Sequence, residues 1–160
     1  MDSQLSRIDL LQAVNRAFGE APRPEHFTNY QHCEECREID ERMCSRDQAS
    51  LALGDIENSV LPLLNSAGYR YYMPAFIRLA LSQSGEGFMA DLVTKLSTPI
   101  SAKSRPPHLR QTDLFSVEET NAVLAFLCFV RDERREILQK YGVAEKVMAR
   151  ALRNWDSSLF

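Results

Sequence analysis

The chain has 160 residues, 44% of them hydrophobic and 26% charged, which is ordinary globular usage and excludes a disordered or low-complexity chain. That length suits one domain that builds its own core without staples. With 19 basic against 22 acidic residues the net charge is −3, so a generally basic, nucleic-acid-coating protein is excluded as the default.

Six glycines and seven prolines are too few for a turn-rich all-β chain. The opening stretch, MDSQLSRIDLLQ, has no basic region followed by a long apolar run and is not read as a signal peptide. The longest apolar run, Ala122 to Val130, is far short of the roughly twenty residues of a membrane span. A cytoplasmic location is therefore expected, with the four cysteines (Cys33, Cys36, Cys44, Cys128) as reduced thiols. There is no internal repeat, phosphate-binding glycine loop, nucleophile elbow or HExxH.

The first predicted element is an amphipathic helix over residues 3–18. It is capped by Asp2 or Ser3 and ended by Gly19, with Leu5, Ile8, Leu11, Val14 and Phe18 on its apolar face. Residues 19–30, with two prolines, read as an ordered loop. A second helix is expected from about His32 to Cys44, and a short helical turn from Asp47 to Leu53. Between residues 55 and 68, Asp55 could cap a helix through Val60, Pro62 interrupts the pattern and Gly68 ends the segment. Pro74 suits the first turn of a new helix carrying Ala75, Phe76, Leu79 and Ala80. The tyrosine-rich YRYY at 69–72 is the one segment with strand appeal.

Gly85 and Gly87 separate that helix from the next, at about 88–96. Residues 97–114 read as a long loop carrying the basic KSRPPHLR stretch. Ser116 and Glu119 form a capping box that opens a long helix to about Lys140, whose first half is apolar all round and suits a central buried position. Gly142 breaks it. A last helix covers about 143–154, with Trp155 docking onto the body and 156–160 left as a tail. The expected architecture is thus all-α: a single compact domain of six or seven helices spanning residues 1–160.

The chemistry-bearing residues gather in HFTNYQHCEECREID, residues 26–40. Thiolate and imidazole are the ligands zinc prefers, and a structural site takes four. Cys33 and Cys36 stand three apart on the expected helix, with His32 four before Cys36 and Asp40 four after it. His26 lies in the preceding loop. The candidate ligands are His26, His32, Cys33 and Cys36, with Asp40 as a substitute, and zinc is the candidate ion. The chain offers no second CxxC.

Two other readings of the same residues stand beside this one. Cys33, Cys36, Ile39 and Met43 make a core stripe without a metal. Alternatively, a thiol near the helix N-terminus is set up for redox or nucleophilic chemistry, although no βαβ pattern surrounds it. The acidic run Glu34, Glu35, Glu38, Asp40 and Glu41 suits either a solvated face or a basic partner.

The HFTNYQHCEEC stretch, followed by YRYYMPAFIRLAL and then FSVEETNAVLAFLCFV, resembles an uncharacterised bacterial family described only as a domain of unknown function. The resemblance covers roughly residues 10–140. It implies a shared His-Phe (His26, Phe27), a His-Cys-x-x-Cys segment (His32, Cys33, Cys36), Asp40, and a Tyr-x-x-Pro-Ala segment, here YYMPA with Tyr72, Pro74 and Ala75. The resemblance also implies an acidic-His-Asp stretch, common in the family after the second cysteine, where this chain has Glu38, Ile39 and Asp40 and so lacks that further histidine. The family implies no activity.

The functional expectation is a protein-interaction module of inhibitor, immunity or adaptor type, stabilised by zinc, with a protein partner. The competing expectation is a metal-dependent hydrolase with His26, His32 and Cys36 as ligands and Glu34 or Glu35 as base. Nucleic-acid binding through KSRPPHLR and Arg131, Arg134, Arg135 and Arg150 is disfavoured by the net acidity. The oligomeric state is left open.

Overall fold

The computed structural model describes residues 5–56, 60–98, 114–156 and 158. Among these, eight α-helices and one short 3-10 turn account for the regular structure, and an isolated bridge between Thr28 and Leu64 is the one β-type pairing.

The first helix, α1 (Arg7–Ala17), is capped by Ser6, whose side chain accepts from the Asp9 N–H, so the cap falls later in the chain than expected. Its buried positions are Leu10 and Val14, continued by Phe18. Leu5 and Ile8 are exposed, Ile8 at 68%. The apolar face is therefore rotated from the predicted one: the Leu10, Val14, Phe18 row packs inward. The second helix, α2 (Glu34–Cys44), begins at Cys33 as its cap and buries Cys36, Ile39, Asp40 and Met43. A 3-10 turn, Leu53–Asp55, follows.

A short helix, α3 (Val60–Leu63), leads into α4 (Ser66–Ala80). Here the expectation fails in an informative way. The helix is capped by Asn65, whose side chain accepts from the Gly68 N–H, nine residues before Pro74. Gly68 is inside the helix, YRYY is helical, and Pro74 sits mid-helix. Ten of the fifteen residues of α4 are buried, so the element has no polar face to reveal its period. The Tyr72 hydroxyl reaches the carbonyls of Met43 (2.6 Å) and Arg46 (2.8 Å), joining α4 to the end of α2.

The next helix, α5 (Glu86–Leu96), starts at Gly85 and includes Gly87. The capping box is present as expected. Glu119 N–H donates to Ser116 Oγ at 3.1 Å, and Ser116 N–H donates to Glu119 Oε2 at 2.9 Å. It opens α6 (Val117–Glu133), which buries seven of its seventeen residues, on one side. Glu119 also receives Arg70 Nε from α4 at 2.9 Å on both oxygens, so the start of α6 is tied to the most buried helix.

The long helix expected to Lys140 breaks at Arg134 (φ −128°) and resumes as α7 (Arg135–Lys140). The last helix, α8 (Glu145–Trp155), buries Met148, Ala151 and Trp155. Trp155 docks as expected, its Nε1 donating to the Leu96 carbonyl at 3.2 Å. The loop read over 97–114 lies almost wholly outside the described residues, as do most of the tail and the KSRPPHLR stretch.

The core is one continuous cluster running from Leu10 on α1 to Trp155 on α8. No described helix is long and apolar enough to cross a membrane.

Candidate metal centre

The centre is built on the first turn of α2 and the segment that enters it. Cys33 has extended backbone (φ −158°, ψ 170°), and its sulfur accepts from the Cys36 N–H at 3.4 Å, a thiol taking the place of the usual capping hydroxyl. That cap brings residues 33 and 36 together, and His32 follows because it directly precedes them. The ligand atoms of His32, Cys33 and Cys36 all lie within 4.8 Å of one another, with His32 Nδ1 4.0 Å from Cys36 Sγ. His32 and Cys33 are exposed and Cys36 is buried, so the group sits at the protein surface with its deepest sulfur against the core.

The two thiols are tuned in opposite directions. The backbone N–H of Cys36 points at Cys33 Sγ and favours its thiolate, with further help from the Cys36 and His32 side chains, bringing the Cys33 pKa down to about 7. Burial holds the Cys36 thiol above its ordinary value, with the neighbouring Cys33 adding to the shift.

The other two sequence-predicted residues face each other. His26 Nδ1 lies 2.7 Å from Asp40 Oδ2, and the His26 ring stacks on Tyr30 at 3.8 Å. Asp40 is fully engaged. Its Oδ1 accepts from the N–H groups of Phe27 (2.6 Å) and Thr28 (3.1 Å), while Oδ2 faces His26 and, at 4.0 Å, the Cys44 thiol. His26 and Asp40 thus form a pair beside the His32, Cys33, Cys36 group. Asp40 anchors the approach to the cluster, and Nε2 is the His26 nitrogen not used in that contact.

Two residues that sequence reasoning passed over complete the support. Thr28 donates its hydroxyl to the Cys36 carbonyl at 2.7 Å. Asn65 donates its side-chain amide to the His26 carbonyl (2.9 Å) and its backbone N–H to the Phe27 carbonyl (2.8 Å). Gly68 permits this approach, since a Cβ there would meet the Phe27 carbonyl oxygen at 3.0 Å. Asn65 is a residue type favoured at a helix N-cap, a signal that the terminator reading of Gly68 hides. Phe27 itself is wholly buried, with ring centroids 5.0 Å from Tyr72 and 5.8 Å from Tyr71. The entering segment is therefore pinned from both sides, by Asp40 of α2 and by the start of α4.

Among the other basic candidates, Arg131 pairs with Asp132 and Arg135 with Glu145.

What the fold and this group define is a small all-α domain with a surface His/Cys cluster able to hold a metal ion. The chain belongs to a family of unknown function, DUF6714, whose model matches residues 6–157. Comparison with curated proteins and with solved structures gives no match.

Proposed function

We propose that this protein is a zinc-binding helical interaction module, in which His32, Cys33 and Cys36 hold the ion and His26 supplies the fourth ligand through Nε2. One observation carries the reading: three soft or borderline donors lie within 4.8 Å of one another at the surface. Donors around a tetrahedral zinc stand about 4 Å apart, so small side-chain rotations would bring His32, Cys33 and Cys36 onto one ion, while His26 lies outside that three-residue group and its ring would have to approach it. Asp40 fits the role of the carboxyl group that commonly holds the far nitrogen of a zinc-bound histidine, which fixes the tautomer and the ring orientation. Such an ion would fasten the 26–33 segment to the head of α2. It would also display the exposed acids Glu34, Glu35, Glu38 and Glu41 as one face, complementary to a basic protein partner.

The test is cobalt substitution under reducing conditions. Co2+ added to the metal-free protein is expected to give intense tetrahedral bands with thiolate-to-cobalt charge transfer. Cys36→Ala should abolish these bands, and His26→Ala should shift them toward a site holding solvent and weaken binding by at least about tenfold. Weak octahedral bands alone would contradict a closed thiolate site.

A hydrolase reading would take the three gathered donors, His32, Cys33 and Cys36, in place of the expected His26, His32 and Cys36, since a catalytic zinc keeps three protein ligands and a water. It separates cleanly from the first. Wild-type cobalt spectra identical to those of His26→Ala, together with metal-dependent ester or peptide turnover, would favour it.

A further inference from the structure

We infer that Cys33 and Cys36 form a reversible dithiol–disulfide pair that exchanges with small-molecule disulfides, Cys33 attacking and Cys36 resolving. The placement of the two thiols requires no ion, so the pair goes beyond the metal reading. Cys33 caps an eleven-residue helix and is exposed, so an incoming disulfide can reach its sulfur. Cys36 is 4% exposed and shielded from direct attack. The two sulfurs are nevertheless within 4.8 Å, and Cys33 Sγ already lies over the Cys36 N–H. An exposed attacking thiol over a buried partner three residues along is the arrangement that thiol–disulfide exchange needs.

The steps balance with glutathione disulfide as oxidant. Cys33 releases its proton to solvent and its thiolate attacks one glutathione sulfur; a new S–S bond forms, the glutathione S–S bond breaks, and one glutathione thiolate leaves with the electron pair and is protonated from solvent. Cys36 then gives its proton to solvent and attacks Cys33 Sγ, which lies within 4.8 Å of it. The second glutathione thiolate departs with the electron pair and is protonated from solvent. The dithiol is oxidised and the glutathione disulfide is reduced to two glutathione thiols.

Cys44 is an internal control. It is exposed but lies eight residues past Cys36 on the same helix, roughly 12 Å along the axis, so it can be captured without being resolved.

The experiment uses the full, metal-stripped, reduced chain, treated with excess glutathione disulfide, quenched in acid and mapped by peptide mass spectrometry. Circular dichroism monitors the fold. The expected wild-type product is a Cys33–Cys36 disulfide, with glutathione retained only at cysteines outside the pair, Cys44 among them. In Cys36→Ser the glutathione adduct should persist on Cys33. In Cys33→Ser, modification of Cys36 should slow by at least about tenfold. A persistent Cys33 adduct in the folded wild type would overturn the proposal, as would a Cys36–Cys44 link or undiminished modification of Cys36 in Cys33→Ser. The wild-type linkage alone decides the matter if a variant fails to fold. Because no metal is present, the outcome is independent of the zinc reading, which stands or falls on the cobalt spectra.

Discussion

Asp40 is 4% exposed, and its two oxygens face two backbone N–H groups, an imidazole and a thiol. A carboxyl so placed is costly to remove, because the donors it satisfied stay buried without a partner. Asp40→Ala is expected to destabilise the protein by about 3 kcal/mol in chemical denaturation, and Asp40→Asn by less, since its amide oxygen still accepts from Phe27 and Thr28. Equal, sub-kilocalorie effects for both would contradict the anchoring role. The thiols give a second prediction at this scale. Cys33 is lowered to about 7, chiefly by the Cys36 backbone N–H, while burial raises Cys36 and Cys44. The fold favours the Cys33 thiolate, so that contribution is complete above the ordinary thiol pKa and is lost as pH falls through about 7. Alkylation of the metal-free protein by iodoacetamide should therefore rise at Cys33 with a midpoint near pH 7. At Cys36 and Cys44 it should rise only at more alkaline pH. A shared midpoint for all three would refute this ordering.

The helices differ in how openly their sequences declare them, and the differences have physical causes. Ser116 and Glu119 mark the start of α6 because a capping box is local chemistry, complete within four residues. The start of α4 is obscure because the helix is buried on most sides. With ten of fifteen residues inside, no apolar stripe stands out, and Pro74 and the tyrosines point locally to other structures. Tertiary burial outweighs the loss of the N–H that Pro74 cannot offer the Arg70 carbonyl. The corner between α4 and α5 supplies the prediction for elements. A Cβ on Gly85 would lie 1.9 Å from the Leu79 carbonyl oxygen, and backbone at the end of a packed helix cannot give way cheaply. Gly85→Ala should cost more than about 2 kcal/mol, whereas Gly54→Ala, with open space around it, should change stability by no more than about 0.5 kcal/mol. Thermal melts of the two variants check the contrast, and similar melting temperatures would contradict it.

Across the whole molecule, the all-α class and the docking of Trp155 were legible from composition, periodicity and a lone large aromatic near the last helix. The pairing of His26 with Asp40 was not, because it closes over fourteen residues and depends on Asn65, thirty-nine residues from His26, holding the loop from the other side. Spacing along one helix could bring Cys33 and Cys36 together, but it could not say which oxygen the loop histidine would face. Trp155 is wholly buried, and its indole closes α8 onto the end of α5. Trp155→Ala should therefore lower global stability by about 3–5 kcal/mol, with a single cooperative transition retained. A loss confined to the last helix, with the rest of the melt unchanged, would show that α8 is not part of the common core. The proposed zinc, held by the sulfurs and imidazoles around the head of α2, is tested most directly by elemental analysis of protein purified under reducing conditions without added metal. One zinc per chain is predicted, lost in Cys36→Ala and accompanied by a lower melting temperature in chelator. Metal-free protein whose melting temperature ignores both chelator and added zinc would contradict it.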